Sequence, residues 1–198
     1  MMLIARYGVT WLMACCISAC TYIPVNMNPH ADAPLTPISL DLPRYMGRWY
    51  VIASIPMFDE RDYVGSAALW TLRDDGDIDD AVIGRKHGFD QPETRSVFRA
   101  HPEHGAKNSV WKVRPLWPFE FIVMTVYLDP DYQYTVRVTP DKAFAWILSR
   151  RPDMPVETYQ AILLKLDDMG FDTSRFRRVA QLPEPAGSAG SPGSDVVR

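Results

Sequence analysis

From Trp49 onward the chain alternates apolar and polar residues with a period of two. It does so in eight blocks: 49–55, 66–72, 78–84, 94–100, 109–114, 121–128, 132–138 and 144–149. Alternation of this kind marks strands that bury one face. Most gaps between blocks carry turn chemistry, namely Asp74-Asp75-Gly76, Glu103-His104-Gly105, Asp129-Pro130-Asp131 and Pro140-Asp141. Eight short strands joined by hairpins form a meander, which either keeps two exposed edges or closes into a barrel; closure alone removes the edges. The period then changes once. Val156, Tyr159, Leu163, Leu166 and Met169 recur at helical spacing, Pro155 suits a first helical turn and Gly170 supplies a stop. The pattern predicts an all-β fold, an eight-stranded antiparallel up-and-down barrel with one C-terminal helix packed outside. Residues 176–182 are expected to return as a short ninth strand.

The flanks lack this periodicity. Residues 21–40 hold four prolines and read as a flexible tether, and residues 183–198 form a tail rich in Gly, Ser, Pro and Ala that cannot bury a core. The folded domain is therefore expected at 41–182. Ahead of the tether, Arg6 precedes a short apolar run at 9–17, followed by Ile17-Ser18-Ala19-Cys20. The run is too short to span a bilayer and reads as a cleavable signal over 1–19. The tetrapeptide resembles the bacterial lipobox, which implies that Cys20 is acylated, palmitate included, and anchors the protein to a membrane. Thr21 after the cysteine, by resemblance to enterobacterial sorting rules, favours the outer membrane. All three cysteines (Cys15, Cys16, Cys20) lie in this leader, so the domain has no disulfide to form. The net charge of −3 gives no basis for a nucleic-acid partner.

Two motifs then carry a family resemblance. Tyr45-Met46-Gly47-Arg48-Trp49-Tyr50 resembles the Gly-x-Trp signature that opens lipocalins. Trp146-Ile147-Leu148-Ser149-Arg150, about a hundred residues later, resembles the block that ends their eighth strand. The stretch 129–134 approximates the middle signature in a different register. The combination is most like the bacterial outer-membrane lipocalins and their apolipoprotein D relatives. The resemblance implies that Gly47 makes a tight turn under the barrel floor, that Trp49 plugs it, and that Arg150 lies across the indole.

Counting in twos from Trp49, with the family pattern as guide, predicts inward side chains at Val51, Ala53, Ala68, Trp70, Ile78, Val82, Phe98, Ala100, Trp111, Val113, Val123, Tyr127, Val136 and Trp146. Of these, Trp70, Val82, Phe98, Trp111, Val123, Tyr127, Val136 and Trp146 are the expected ligand-binding residues. Small residues among aromatics leave room, and a fatty acid or lysophospholipid suits such a cavity. Arg61, Arg85 and Lys86 are candidate head-group cations at the mouth. Residues 56–63 form a natural lid, with Trp117-Pro118-Phe119 as a second apolar hairpin at the same end.

Dedicated chemistry is absent. His101 and His104 share a turn without a third ligand, so no metal or other cofactor is expected. The acidic run 74–80 lacks the oxygen spacing of a calcium loop. A nucleophile with base and acid partners is not evident, and the chain is not expected to be an enzyme. The leading expectation is an outer-membrane carrier that binds, stores or transports lipid in envelope maintenance or stress, with a homodimer as a further option. Two alternatives stand beside it: an enzyme acting on a lipid or isoprenoid through an interior pair such as Asp80 and Tyr127, and a solid barrel whose rim docks another envelope component.

Overall fold

The alternating blocks do pair as a meander. In the computed structural model, which describes residues 28–57, 60–116 and 118–183, a single helical turn, α1 (Leu42–Tyr45), leads into eight strands. These are β1 (Gly47–Ile55), β2 (Tyr63–Leu72), β3 (Ile78–Lys86), β4 (Thr94–Pro102), β5 (Val110–Leu116), β6 (Phe119–Leu128), β7 (Tyr134–Val138) and β8 (Ala145–Ser149). The helix α2 (Val156–Asp168) and a two-residue strand, β9 (Arg177–Arg178), follow. Cys20, Phe58, Trp117 and the tail from residue 184 lie outside the described residues.

Each strand pairs antiparallel with the next, and β1 pairs with both β8 and β2, which closes the barrel. Closure is incomplete along one seam. The β1–β2 ladder runs only from Gly47↔Trp70 to Tyr50↔Ala67. Beyond it β9 takes over, with Ala53↔Arg178 and Ser54↔Arg177. Val179 N then donates to Ile52 O at 3.0 Å, and Gly65 N donates to Ala180 O at 2.8 Å. Gln181 Nε2 donates to the carbonyls of both Val51 (2.8 Å) and Ser66 (2.9 Å). The C-terminal segment thus stitches the gap between β1 and β2, satisfying backbone groups that an open seam would leave unpaired.

Two apolar clusters form, one on each face of the wall. Inside lie Tyr45, Trp49, Trp70, Ile78, Ala100, Trp111, Val113, Val123 and Leu148. Outside, Ile162, Leu166 and Phe171 from α2 and the turn after it cover Ile52, Val126, Val136, Val138 and Ile147. Tyr127 and Val136 belong to this outer cluster, which corrects the expectation that both point inward; Lys165 of α2 lies 5.9 Å from the Tyr127 ring. The cause is a bulge between Thr125 and Tyr127, which reverses the in–out parity of β6. Ala53 is displaced to the outer cluster in the same way, by a bulge between Val51 and Ala53. Asp80 and Tyr127 therefore sit on opposite faces of the wall and cannot act as a catalytic pair.

The stretch before the domain is bound to the barrel from Asn28 onward. Asn28 Nδ2 donates to the carbonyls of Asp167 (2.8 Å) and Phe171 (3.0 Å). Lys142 Nζ, in the β7–β8 loop at the open end, donates to Ala31 O (2.7 Å) and Ala33 O (2.8 Å). At the other end Leu40 N donates to Lys107 O beside the closed floor. Gly170, at φ +85°, makes this route possible, because a Cβ there would stand 1.9 Å from His30 O.

The floor is closed by an arginine. Arg150 stacks on Trp49 with its Cζ 3.8 Å from the indole, and its N–H groups donate to the carbonyls of Arg44, Tyr45, Arg48 and Tyr132 at 3.0–3.3 Å. Gly47, at φ +94°, lets the chain turn here, where a Cβ would meet the guanidinium at 3.2 Å. Arg150→Lys should lower stability by about 3 kcal/mol, because a compact ammonium cannot stack and reach four carbonyls together. Urea denaturation followed by far-UV circular dichroism checks this, and a loss under 1 kcal/mol would show the fork to be dispensable.

Candidate ligand site

The lower half of the barrel is filled. Tyr45, Trp49, Trp70 and Trp111 are all at most 2% exposed and pack ring on ring, with Tyr45 stacked on Trp70 at 5.0 Å and Trp70 edge-on to Trp111 at 5.2 Å. Each polar edge in this plug is satisfied: Trp49 Nε1 donates to Tyr45 O (2.9 Å), Trp111 Nε1 to Asn108 O (2.8 Å) and Trp70 Nε1 to Asp80 Oδ1 (2.8 Å). Thr135 Oγ1 donates to Tyr127 O, which leaves it to accept from the Tyr45 hydroxyl at 2.9 Å. Burial pushes the Tyr45 hydroxyl above its ordinary pKa, although the charge of Arg137 opposes this.

Above the plug lies a buried charge. Arg137 is 4% exposed and spreads over Trp111 and Trp70, with its Cζ 3.8 Å and 4.8 Å from the ring centres. Its Nε and Nη2 are buried without a hydrogen-bond acceptor among the described residues. Asp80, across the barrel on β3, is also buried. Burial raises its carboxyl above the usual carboxylate range, against the pull of Arg137 and the Trp70 N–H. No ion pair joins Asp80 to Arg137 within 4.0 Å among the described residues.

The upper half is open. Val82 follows Ile78 and Asp80 on the inward face of β3 yet remains 36% exposed, so solvent enters the barrel to its level. Val51, Phe98, Phe121 and Trp146 are half-buried around it. Toward the mouth, Gly84 leaves room for Tyr63, whose ring would lie 2.7 Å from a Cβ at that position. Glu60 in the β1–β2 loop reaches down to the wall: its Oε2 accepts from Trp146 Nε1 (3.1 Å) and from Met57 N (3.0 Å). The loop is thus pinned to the interior by one carboxylate.

Of the eight residues expected to bind ligand, Val82, Phe98 and Trp146 line the open cup. Trp70, Trp111 and Val123, the last 5% exposed and cross-strand from Trp111, belong to the packed half beneath it. Tyr127 and Val136 lie outside. Arg137 and Glu60 were not singled out by the sequence. Among the candidate mouth cations, Arg85 pairs with Glu93 at 3.2 Å, and Arg61 and Lys86 are exposed. At the closed end, the acidic turn is paired with Arg73 and Arg99; Asp77 holds both Arg99 and the His101 ring, and His104 bonds to Asn108 instead.

A closed eight-stranded barrel with a sealed floor, an oily upper cup and a helix on its flank defines a small-ligand binding protein rather than a membrane pore. The Lipocalin-like domain family matches residues 40–181, and the chain belongs to the lipocalins. It is 33% identical to temperature-induced lipocalin-1 of Arabidopsis thaliana over 162 residues, covering 77% of this chain and 86% of the relative. It is also 33% identical to the outer membrane lipoprotein Blc of Escherichia coli (strain K12) over 148 residues, covering 72% and 80%. Among solved structures, the cockroach allergen Per a 4 shares the fold at 18% identity, with a TM-score of 0.57 over 74% of this chain and 92% of the other.

Glu60→Ala should free the β1–β2 loop, with faster amide exchange across 60–63 and a stability loss of about 1 kcal/mol. Hydrogen exchange read by mass spectrometry checks it. Unchanged protection in those residues would mean that the loop is held by other contacts.

Proposed function

We propose that this lipocalin is anchored through an acylated Cys20 to the bacterial outer membrane and holds a single-chain lipid, a fatty acid or lysophospholipid, in its upper cup. The observation that carries this reading is the contrast within one barrel: a packed floor below, and above it Val82, 36% exposed, on an inward-facing position. Only the upper half has space, so a slender tail suits it better than a bulky ring system. Burying such a tail gains about 25 cal/mol per Å² of apolar surface, less the cost of immobilising it.

The path of the N-terminal segment supports the anchoring. Residues 28–33 run past Lys142 at the open end before the chain descends to the floor. Eight residues separate Cys20 from Asn28, a reach of at most about 28 Å. An anchor at Cys20 would therefore hold the mouth, rather than the sealed floor, toward the bilayer, where Phe119 is 67% exposed on the rim. The Escherichia coli relative, named an outer membrane lipoprotein, supports the location.

Native mass spectrometry of the membrane-extracted protein should release one monoacyl lipid per chain. Val82→Trp, which fills the cup from an inward position, should reduce that occupancy at least tenfold with little change in the circular dichroism spectrum. A wild-type barrel that carries no lipid and takes up none would favour a docking protein with a solid interior. Labelling with an alkynyl palmitate should mark the wild type and spare Cys20→Ser; equal labelling of both would refute the anchor.

A further inference from the structure

We infer that the cup takes its lipid head first, with a carboxylate seated on the Nε–Nη2 edge of Arg137 and the acyl chain rising past Phe98, Val82 and Trp146 to the mouth. This rests on the lipid-binding reading above and adds the ligand's head group and its direction. The two nitrogens left without an acceptor, Nε and Nη2, share one side of the guanidinium. Their N–H bonds run nearly parallel and match the two oxygens of a carboxylate. The guanidinium lies on Trp111 at 3.8 Å and on Trp70 at 4.8 Å. That stacking fixes the plane of the guanidinium, so the free edge has a set direction.

The surroundings select the charge and size of the head. Asp80 could have served as an internal counter-ion, yet its Oδ1 accepts from Trp70 Nε1 and no Arg137 nitrogen lies within ion-pair distance of it. Arg137 is 4% exposed and lies against two indoles, so a small head group suits it better than a phosphodiester with its own substituent. A bare carboxylate is the smaller anion with two coplanar oxygens. This selects a free fatty acid over a lysophospholipid. It also moves the head-group contact from the cations at the rim to the middle of the barrel.

The test is a competition for the full-length acylated protein, extracted in non-ionic detergent and read by native mass spectrometry. Palmitic acid and methyl palmitate are offered together in equal amounts. The wild type should hold the acid at least tenfold over the ester. In Arg137→Met the ratio should fall to near one. Equal occupancy in the wild type, or a preference that survives Arg137→Met, overturns the head-down arrangement while leaving lipid binding intact. Uptake of neither ligand by the wild type overturns the lipid-binding reading itself. A second measurement uses a Trp117→Phe, Trp146→Phe background, which removes two indoles outside the plug: palmitic acid brominated at carbon 2 should quench tryptophan fluorescence more strongly than its isomer brominated at carbon 16, because only the head approaches Trp111 and Trp70. The reverse order would place the head at the mouth.

Discussion

The aromatic plug of Tyr45, Trp49, Trp70 and Trp111 is held between two guanidinium groups, Arg150 beneath Trp49 and Arg137 above Trp111, each with its Cζ 3.8 Å from an indole centre. Cation–π attraction strengthens as water is excluded, so both contacts lie near the upper end of their range, about 2 kcal/mol each. The two arginines differ in what else they do. Arg150 donates to four carbonyls and ties α1, β1 and the β6–β7 turn to the barrel floor. Arg137 donates its Nε and Nη2 to nothing in the described chain. One closes the barrel from below, and the other sets the depth to which anything can enter from above.

That depth governs how the rest of the fold must behave. A barrel filled to its middle keeps its lower ladder rigid, since β1 and β2 pair directly only from Gly47 to Tyr50. Around the cup the same two strands are bridged by β9 and by Gln181, a thinner seam made of side-chain and single backbone bonds. The mouth is further held by Glu60, and the N-terminal segment crosses the β7–β8 loop beside it. The parts of low local stability therefore cluster around the open half, where ligand exchange needs them, and the closed half carries the packing that resists unfolding.

The sequence made the barrel legible because the strand period is short and the turns are chemically marked. Gly47, Trp49 and Arg150 could be placed through the resemblance of their motifs to the lipocalin signatures. Inward and outward faces were harder to read on β6 and β7. Alternation identifies the buried face only when the other face is wet, and here α2 covers the outside of β6, β7 and β8. Both faces of that wall are rich in Val, so the simplest rule chose Val136 as inward, whereas the true inward residues are Thr135 and Arg137. The bulge after Thr125 then carried Tyr127 outward. Placing two strands of the wall correctly would have required accepting an arginine in the core, which period counting has no means to favour.

A buried arginine with idle donors is a cost that the fold does not need. Transferring an ionised group from water into a protein interior costs several kcal/mol even after relaxation, and unmade hydrogen bonds add to this. Two indole faces offset part of it. A methionine of similar length at this position would fill the space over Trp111 without any such penalty. Nor does the group hold strands together, since Tyr45 and Thr135 already supply the polar bridge between the plug and β7. A charge that neither packs better than its apolar equivalent nor bonds to its neighbours is structurally incomplete, and what it lacks is an acceptor.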